Sequence, residues 1–285
     1  MRFKTALLSF ALLICPLACC YGQLSFSGVN GERGYSAMRA MFRWDSDSGI
    51  ILTPSYEYYR MDDDPDVEKT GTAQRYGLRG LYELTDEWQL LAGTYWRPLA
   101  VGDRGVRYFA GIRWTPFYTT SLFSNPQISL QAGQGRCKVW VDSLRRDLPS
   151  LFKEVETNLE LHGSIDVGRW NLKGAWQKVL KYSTPQRADV SFSWADVPFM
   201  TAVIQGFIKN AAALRVSYQT PIISPYATYV RYQYGAADKP SAAVNAGLFL
   251  HWGETIISGG VEVFEPRREN NRRTFFSMSV EVPFL

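Results

Sequence analysis

The sequence predicts an all-β fold, a transmembrane antiparallel β-barrel of about 14 strands, with 12 or 16 strands as open alternatives and room for one or two short helices in its loops. Apolar residues recur at every second position over long runs, which is the period of a strand with two different faces. These runs match the ~9 to 11 tilted residues with which a strand crosses a bilayer. The chain has 285 residues, of which 20% are charged and 14% aromatic, a composition typical of a folded protein.

The N-terminal segment has the features of a secretory signal peptide. Arg2 and Lys4 form its basic start, residues 5–18 are almost wholly apolar, and a small residue precedes the expected cleavage site. We therefore expect residues 1–22 to be a cleaved signal peptide and residues 23–285 to form a single barrel domain.

Cysteine usage fits this export signal. Three of the four cysteines lie inside the peptide: Cys15, Cys19 and Cys20. The exported chain keeps Cys137 alone and has no internal disulfide, which fits a bacterial envelope better than a disulfide-stapled extracellular scaffold. Lipidation at the Cys19-Cys20 pair is the less favoured alternative.

Fifteen runs of alternating residues are candidate strands. They are 24–30, 35–45, 49–60, 74–85, 88–97, 105–115, 126–133, 157–168, 170–181, 187–195, 213–221, 225–235, 241–252, 255–265 and 274–284. Short segments such as 46–48 and 253–254 predict tight inner turns, whereas 61–73 and 267–273 predict outer loops. Single-chain bacterial barrels have an even strand number, so we predict fourteen strands and place the excess run between about residues 116 and 212.

Two stretches in this middle region break the period of two. Apolar residues at helical spacing lie within 142–156 and within 197–212. Either stretch predicts a short helix in a loop or a plug folded into the barrel. A further strand pair is the alternative for 197–212.

Tyrosine and tryptophan residues lie near the ends of many apolar faces, where the interfacial girdles of a membrane barrel would lie. These residues are Trp44, Tyr58, Tyr76, Trp88, Trp96, Trp114, Trp170, Trp194, Tyr218, Tyr226 and Trp252. The general preference of aromatic residues for strands explains their presence but not this position.

The last strand has a pattern of its own. Apolar residues alternate up to the last residue but one: Phe276, Met278, Val280, Val282 and Phe284. This resembles the terminal strand of Gram-negative outer-membrane barrel proteins, in which a closing aromatic is presented to the assembly machinery, although here a leucine follows it. The resemblance implies a porin-like architecture in the bacterial outer membrane, with outer-membrane lipid and the barrel-assembly machinery as partners. It identifies no single family.

If the apolar faces meet lipid, the polar faces line the lumen with charges of both signs. We call the inward arginines of the first-half strands the basic wall: Arg39, Arg43, Arg75, Arg79, Arg97, Arg107 and Arg113. The inward carboxylates of the later strands form the acidic wall: Glu160, Asp166, Asp189, Glu262 and Glu281. The same assignment points Lys173, Arg215 and Arg231 inward and places only Glu57 and Glu83 among the arginines.

Such segregated charge would set up a field across a water-filled lumen, as charged walls do in selective pores. The pattern is similar to the basic and acidic walls of general diffusion porins. Neat pairing inside a closed barrel would instead intermix the two signs on adjacent strands. The sequence therefore predicts a passive pore for small hydrophilic, preferably anionic, solutes. A structural or adhesive barrel that acts through its outer loops is the alternative.

Few residues suggest catalysis. His162 and Ser164 share one face of a strand and could form a base and a nucleophile, and His162-Gly163-Ser164 resembles the His-x-Ser of outer-membrane phospholipases. Ile165-Asp166 replaces the Asn-Gly of that family, and both side chains would face the lumen rather than lipid. We therefore expect no enzyme, with a lipid hydrolase as the weakest alternative. We also expect no cofactor, no metal site and no nucleic-acid partner.

Overall fold

A computed structural model of the chain shows fourteen antiparallel strands closed into one barrel. It describes residues 21–32, 34–61, 71–100, 103–117, 119–120, 122–141, 150–182, 199, 208–234, 240–265 and 272–284. The strands are β1 (Gly22–Gly31), β2 (Ser36–Asp45), β3 (Ile50–Met61), β4 (Gly71–Glu83), β5 (Trp88–Ala100), β6 (Asp103–Trp114), β7 (Phe123–Val141), β8 (Ser150–Val167), β9 (Trp170–Tyr182), β10 (Ile208–Tyr218), β11 (Ile223–Tyr234), β12 (Ser241–Trp252), β13 (Thr255–Glu265) and β14 (Arg273–Phe284). Each strand pairs with its chain neighbours, and β1 pairs with β14 to close the ring. The predicted all-β barrel of fourteen strands is confirmed.

Both ends of the sheet-forming chain and most of the short connections lie at one end of the barrel, which we call the turn end. The β8–β9 and β12–β13 turns are among the shortest, and Gly168 and Gly253 have φ angles of 60° and 59° there. This left-handed conformation is strained for other residues, so glycine fits both turns. Most of the longer connections, including the longest one between β9 and β10, lie at the opposite end, the loop end. Outer-membrane barrels carry their short turns on the periplasmic side, which orients the turn end toward the periplasm.

The β7–β8 hairpin is longer than the rest of the barrel. β7 has 19 residues and β8 has 18, whereas the other strands have 10 to 13. Residues 150–156 belong to β8 and residues 208–212 belong to β10, so the prediction of a helix is wrong for both. Pairing with the neighbouring strands outweighs the helical spacing of their apolar residues.

Other parts of the prediction lie outside the described ranges. These parts are the signal peptide up to residue 20, the candidate strand 187–195, and all of 142–149 and of 197–207 except Phe199. Within the described residues, no helix is long and apolar enough to cross a membrane.

The outward face of the barrel carries apolar side chains between two levels of aromatic rings. At the turn end, Trp88 stacks on Trp114 with ring centroids 5.8 Å apart. Nearer the loop end, the ring centroids of Tyr76 and Trp96 are 5.5 Å apart. Exposed apolar side chains between these levels include Leu78, Leu90, Ile112, Leu130 and Leu248. The structure places these rings where the sequence predicts interfacial girdles.

β11 faces the opposite way from its prediction. Its buried residues are Ser224, Tyr226, Thr228, Val230 and Tyr232. Tyr229 and Arg231, by contrast, are exposed. Tyr226 therefore lies in the lumen rather than in an outer girdle, and Arg231 lies on the outer face rather than in the lumen.

The neighbouring strands decide this orientation. Thr228 pairs with Arg215 on β10 and with Asn245 on β12, and Asn245 pairs in turn with Glu262 on β13. Turning Thr228 toward lipid would turn this polar and charged row toward lipid as well, at a cost of several kcal/mol per charge. Alternation alone could not show this, because β11 has apolar or aromatic residues on both faces.

Ala110 tests the assignment of faces and depth. It is exposed on the outward face near the middle of β6, so we expect Ala110→Arg to lower the free energy of unfolding by about 2–4 kcal/mol. The matched control is Val106→Arg, at an outward position of the same strand that pairs with Trp96 of the loop-end aromatic level, where the expected loss is about 0–1 kcal/mol. Urea unfolding in lipid vesicles measures both, and equal losses would contradict the assignment. Gly111 is no lumenal control, because a Cβ there would overlap the carbonyl oxygen of Leu130.

The seam between β1 and β14 tests the terminal pattern. The outward residues of β14 are Phe276, Met278, Val280, Val282 and Phe284. Phe284 stacks on Phe42 with ring centroids 5.3 Å apart, and its ring lies 2.7 Å from where a Cβ of Gly22 would be. We expect deletion of residues 284–285 to leave unassembled protein in the periplasm, because the seam loses this packing and its closing aromatic. Cell fractionation with semi-native electrophoresis measures assembly, and deletion of residue 285 alone is the control. Normal insertion of the longer truncation would show the pattern to be incidental.

Candidate functional site

The lumen contains most of the charged residues that the sequence singles out. All seven arginines of the basic wall lie on inward positions of β2, β4, β5 and β6. On β2, Arg39 and Arg43 keep 40% and 47% of their side chains exposed. Arg75, Arg97 and Arg107 are buried instead. The basic wall is thus accessible at some levels and packed at others.

Glu57 on β3 joins two arginines of the basic wall. Its Oε1 lies 2.7 Å from Arg39 Nε, and its Oε2 accepts a 2.8 Å hydrogen bond from Arg75 Nε. The three residues are register partners on adjacent strands. The guanidinium carbon of Arg75 also lies 4.8 Å from the ring centroid of Tyr95. A buried carboxylate and a ring face therefore stabilise part of the buried positive charge.

Gly133 of β7 has no side chain, so side chains of β6 and β8 contact each other across it. Arg107 Nη2 on β6 donates to Asn158 Oδ1 on β8 at 2.9 Å and also to Glu160 Oε1. Gly133 of β7 lies between them, where a Cβ would be 2.8 Å from Asn158 Oδ1 and 2.9 Å from Arg107 Nε. A side chain at this position would push Arg107 away from Asn158 and Glu160, so the ion pair depends on this glycine.

Other side chains hold Glu160 at its second oxygen. Gln131 Nε2 donates to Glu160 Oε2, and His162 Nε2 lies 3.7 Å from the same oxygen. The contact between Glu160 and Arg107 corrects the prediction of separate charged walls. Here a positive and a negative side chain form an ion pair across one intervening strand, instead of facing each other across the lumen.

The other described residues of the acidic wall are held by neutral amides. Asp166, Glu262 and Glu281 all lie on inward positions. The amide donors are Asn125, Asn171 and Gln219 for Asp166, Asn245 for Glu262 and Gln23 for Glu281, at 2.8, 2.6, 3.3, 3.4 and 3.0 Å. Amide hydrogen bonds stabilise these carboxylates in their charged form. Asp189 lies outside the described residues.

The lumenal side of β10 to β14 and of β1 is apolar near the loop end. We call this cluster the apolar wall: Val29, Tyr35, Ala211, Ala213, Val230, Tyr232, Ala243, Phe264 and Phe275. Val230 and Tyr232 are only 1% and 0% exposed, although they face the lumen. Side chains inside the barrel therefore cover them, and Phe199 from the β9–β10 connection is one that packs there.

Arg215 on β10 holds Phe199 inside the lumen. Its guanidinium carbon lies 4.9 Å from the ring centroid of Phe199 and 5.1 Å from that of Tyr226. Its Nη2 donates to the Phe199 carbonyl at 3.4 Å, and its Nε donates to Thr228 Oγ1 at 2.9 Å. Phe199 has a φ of 62°, which is costly for an aromatic residue, and these contacts stabilise it. The connection therefore narrows the lumen at Phe199.

Alternation did not predict the apolar wall or the gap at Gly133, whereas Phe199 belongs to the stretch 197–212 for which a plug was one of the predicted alternatives. A strand with an apolar face toward the lumen has the same alternating pattern as a strand with an apolar face toward lipid. The period of two therefore cannot reveal the apolar wall. The gap did leave a signal, because Gly133 and Gly135 take consecutive inward positions of β7 opposite the inward Arg107 of β6.

His162 and Ser164 are not joined as a base and a nucleophile would be. His162 and Ser164 both point inward, and Ser164 pairs in register with Lys173. Among the described residues, no hydrogen bond joins His162 to Ser164. In the same part of the chain, no group of three or more His, Cys, Asp or Glu residues could hold a metal ion.

The closed barrel, its outward apolar band and its charged lumen define an outer-membrane β-barrel. The monoaromatic hydrocarbon channel CymD has the same fold, with a TM-score of 0.56, 10% identity, and coverage of 93% of this chain and 88% of its own. OmpT of Vibrio cholerae covers 93% of this chain and 97% of its own at 11% identity and a TM-score of 0.48. The Pseudomonas putida toluene transporter TodX covers 93% and 88% at 9% identity and a TM-score of 0.45. At identities this low, the comparisons support a shared fold and nothing more. The similarity in fold rests on the comparison with CymD. No family model and no curated protein matches the chain.

Glu160 tests the ion pair across β7. We expect Glu160→Gln to lower the free energy of unfolding by about 3–5 kcal/mol, because it leaves Arg107 buried without its counter-charge. Glu281→Gln is the control: that carboxylate is less buried and bonded to Gln23, and the expected loss is about 1 kcal/mol. Urea unfolding followed by tryptophan fluorescence measures both variants. A Glu160→Gln loss no larger than that of the control would contradict the stabilising role of the pair.

Proposed function

We propose that this barrel is a passive outer-membrane pore for small hydrophilic solutes, with a preference for anions. The observation that supports it best is a group of three inward arginines on β2, β4 and β6 in the turn-end half of the lumen. Arg43, Arg79 and Arg113 occupy inward positions there. Arg43 contacts Asp45 at 2.9 Å, whereas Arg79 and Arg113 form no ion pair within the described part of the chain.

The surroundings of these arginines favour a strong field. Leu81, Leu91 and Phe109 form a buried apolar cluster on β4, β5 and β6, two of which carry Arg79 and Arg113. A low-dielectric wall behind charges of one sign focuses their field and raises the local concentration of anions. Arginine keeps its charge at any working pH, so the preference should depend on salt more than on pH.

The packed middle of the lumen limits the size of a solute. The Arg107–Glu160 pair occupies the lumen on one side, and Phe199 with Arg215 occupies it on the other. Both are held by several contacts and so form fixed parts of the wall. A passage between them admits small solutes only.

The same packing supports a second candidate function, a closed structural or adhesive barrel that acts through its outer loops. Asn158, Gln177 and Tyr232 are all 0% exposed on lumenal positions. In a closed barrel, the buried charges would fill the interior and stabilise it. A measurement of ion conductance distinguishes the open pore from the closed barrel.

The pore is tested by removing lumenal charge. Reversal potentials across a salt gradient in planar bilayers should show anion preference for the parent. Changing Arg43, Arg79 and Arg113 together to glutamine should shift the preference toward cations, because three positive charges leave the lumen. The shift should shrink in molar salt, where the screening length falls to about 3 Å.

The control for this experiment removes three arginines from the outward face instead: Arg60, Arg136 and Arg231. These changes should leave the ion preference as it is. A parent that conducts with a preference untouched by the lumenal changes would show that these arginines do not line the path. A parent that does not conduct would overturn the pore and leave the closed barrel.

A further inference from the structure

Three basic side chains point outward from β9 and β11 in the loop-end half of the barrel. We call Lys178, Lys181 and Arg231 the outward basic patch, and all three are exposed. Lys178 pairs in register with Asn210 on β10, and Arg231 pairs with Ala212 on the same strand. The outward face of a membrane barrel meets lipid, so cations there require an explanation in terms of lipid.

The outward basic patch has no counter-charge of its own. Within the described residues, none of its three members forms a hydrogen bond or an ion pair. The outward carboxylate in the row of Arg231 is Glu265, and Ala242 of β12 separates the two. The direct neighbours of Arg231 in its row are the small residues Ala212 and Ala242, which leave space above them for a ligand.

A groove of about 360 Å³ lies beside the patch, and its lining includes Trp176, Asn210, Arg231, Gln233 and Pro240. Asn210 Nδ2 donates to Gln233 Oε1 at 3.2 Å, so a pair of amides forms the floor of the groove. Trp176 is 37% exposed on the lipid-facing side. The groove thus combines a guanidinium, amides and an aromatic face within a single stretch of the outer wall.

The height of the patch matches the headgroup region. Tyr229, two residues closer to the turn end than Arg231, is 50% exposed, as expected of an interfacial aromatic. Lys181 and Arg231 lie close to Tyr182 and Tyr234, the last residues of β9 and β11 at the loop end. Long basic side chains at this level extend their charged ends toward headgroups while their stems cover apolar surface.

We propose that the outward basic patch and its groove bind the phosphate groups of a phosphorylated glycolipid in the outer leaflet, such as the lipid A part of lipopolysaccharide. A guanidinium matches phosphate with parallel hydrogen bonds, and each lysine adds a compact charge. The acyl chains of such a lipid would run down the outer wall over Trp176 and Leu180, which is 57% exposed. Inorganic phosphate lacks these chains and would gain only the polar contacts.

The test is native mass spectrometry of the detergent-solubilised full-length protein. It is titrated with bisphosphorylated lipid A, with the same lipid after phosphate removal, and with lipid A in competition with inorganic phosphate. The parent should bind bisphosphorylated lipid A at least tenfold more tightly than the dephosphorylated lipid. The double variant Lys178→Gln/Arg231→Gln should lose about a hundredfold in affinity for lipid A, since each of the two charge-assisted contacts is worth about a factor of ten.

The matched control is Arg60→Gln/Arg136→Gln, which removes two outward cations from β3 and β7 and should keep the parental affinity. Equal weakening in both double variants, or equal binding of the dephosphorylated lipid, would overturn the proposal. Competition by inorganic phosphate at the concentration of the lipid would show a free-phosphate site and overturn the lipid assignment. Semi-native electrophoresis confirms that each variant is a folded barrel. The proposal concerns the outer wall and is independent of the pore, since a closed barrel would bind the lipid equally well.

Discussion

Closure of the sheet is the constraint on which the rest of the structure depends. Inside a bilayer no water pairs with backbone N–H and C=O groups, so a sheet that crosses it must have no edge. The register from Gly22 with Phe284 to Gly31 with Phe275 provides the last row of these bonds. Once the ring is closed, the period of two sends every second side chain of fourteen strands into one lumen. The side chains at those positions must then pack together inside the lumen.

Small residues make that fit possible. The ring of Phe109 lies over Gly93, and the hydroxyl of Tyr226 lies over Gly260, so that a Cβ at either glycine would overlap the aromatic side chain. Gly133 does the same for Arg107. Large inward residues therefore interlock with gaps on neighbouring strands, and charged ones find partners in those gaps rather than in water. This arrangement explains why Arg75 and Arg107 are buried even though they face the lumen of a barrel.

Alternation is enough to predict most of the strands, the short turns and the inward faces of β2, β4, β5 and β6, because each of these follows from one chain segment and the period of two. It is not enough for the features that depend on a neighbour. The direction of β11 was decided by Arg215, Asn245 and Glu262 on other strands. The pairing of Glu160 with Arg107 depends on a missing side chain at Gly133, and the place of Phe199 depends on Arg215. Contact across strands, rather than pattern along one strand, determines which parts of the lumen are open and which are packed.

The seam between β1 and β14 also sets the order in which the molecule can form. Gln23 donates its hydrogen bond to Glu281, 258 positions later in the chain. Pairing between such distant residues costs the loop entropy of nearly the whole polypeptide, and folds rich in distant pairs form slowly. The hairpins between consecutive strands involve short loops and can form early, whereas the first strand waits for the last. During that time β1 and β14 present unpaired edges to any other chain nearby. Protection of the first strand while the other thirteen assemble would therefore keep it from pairing with other chains.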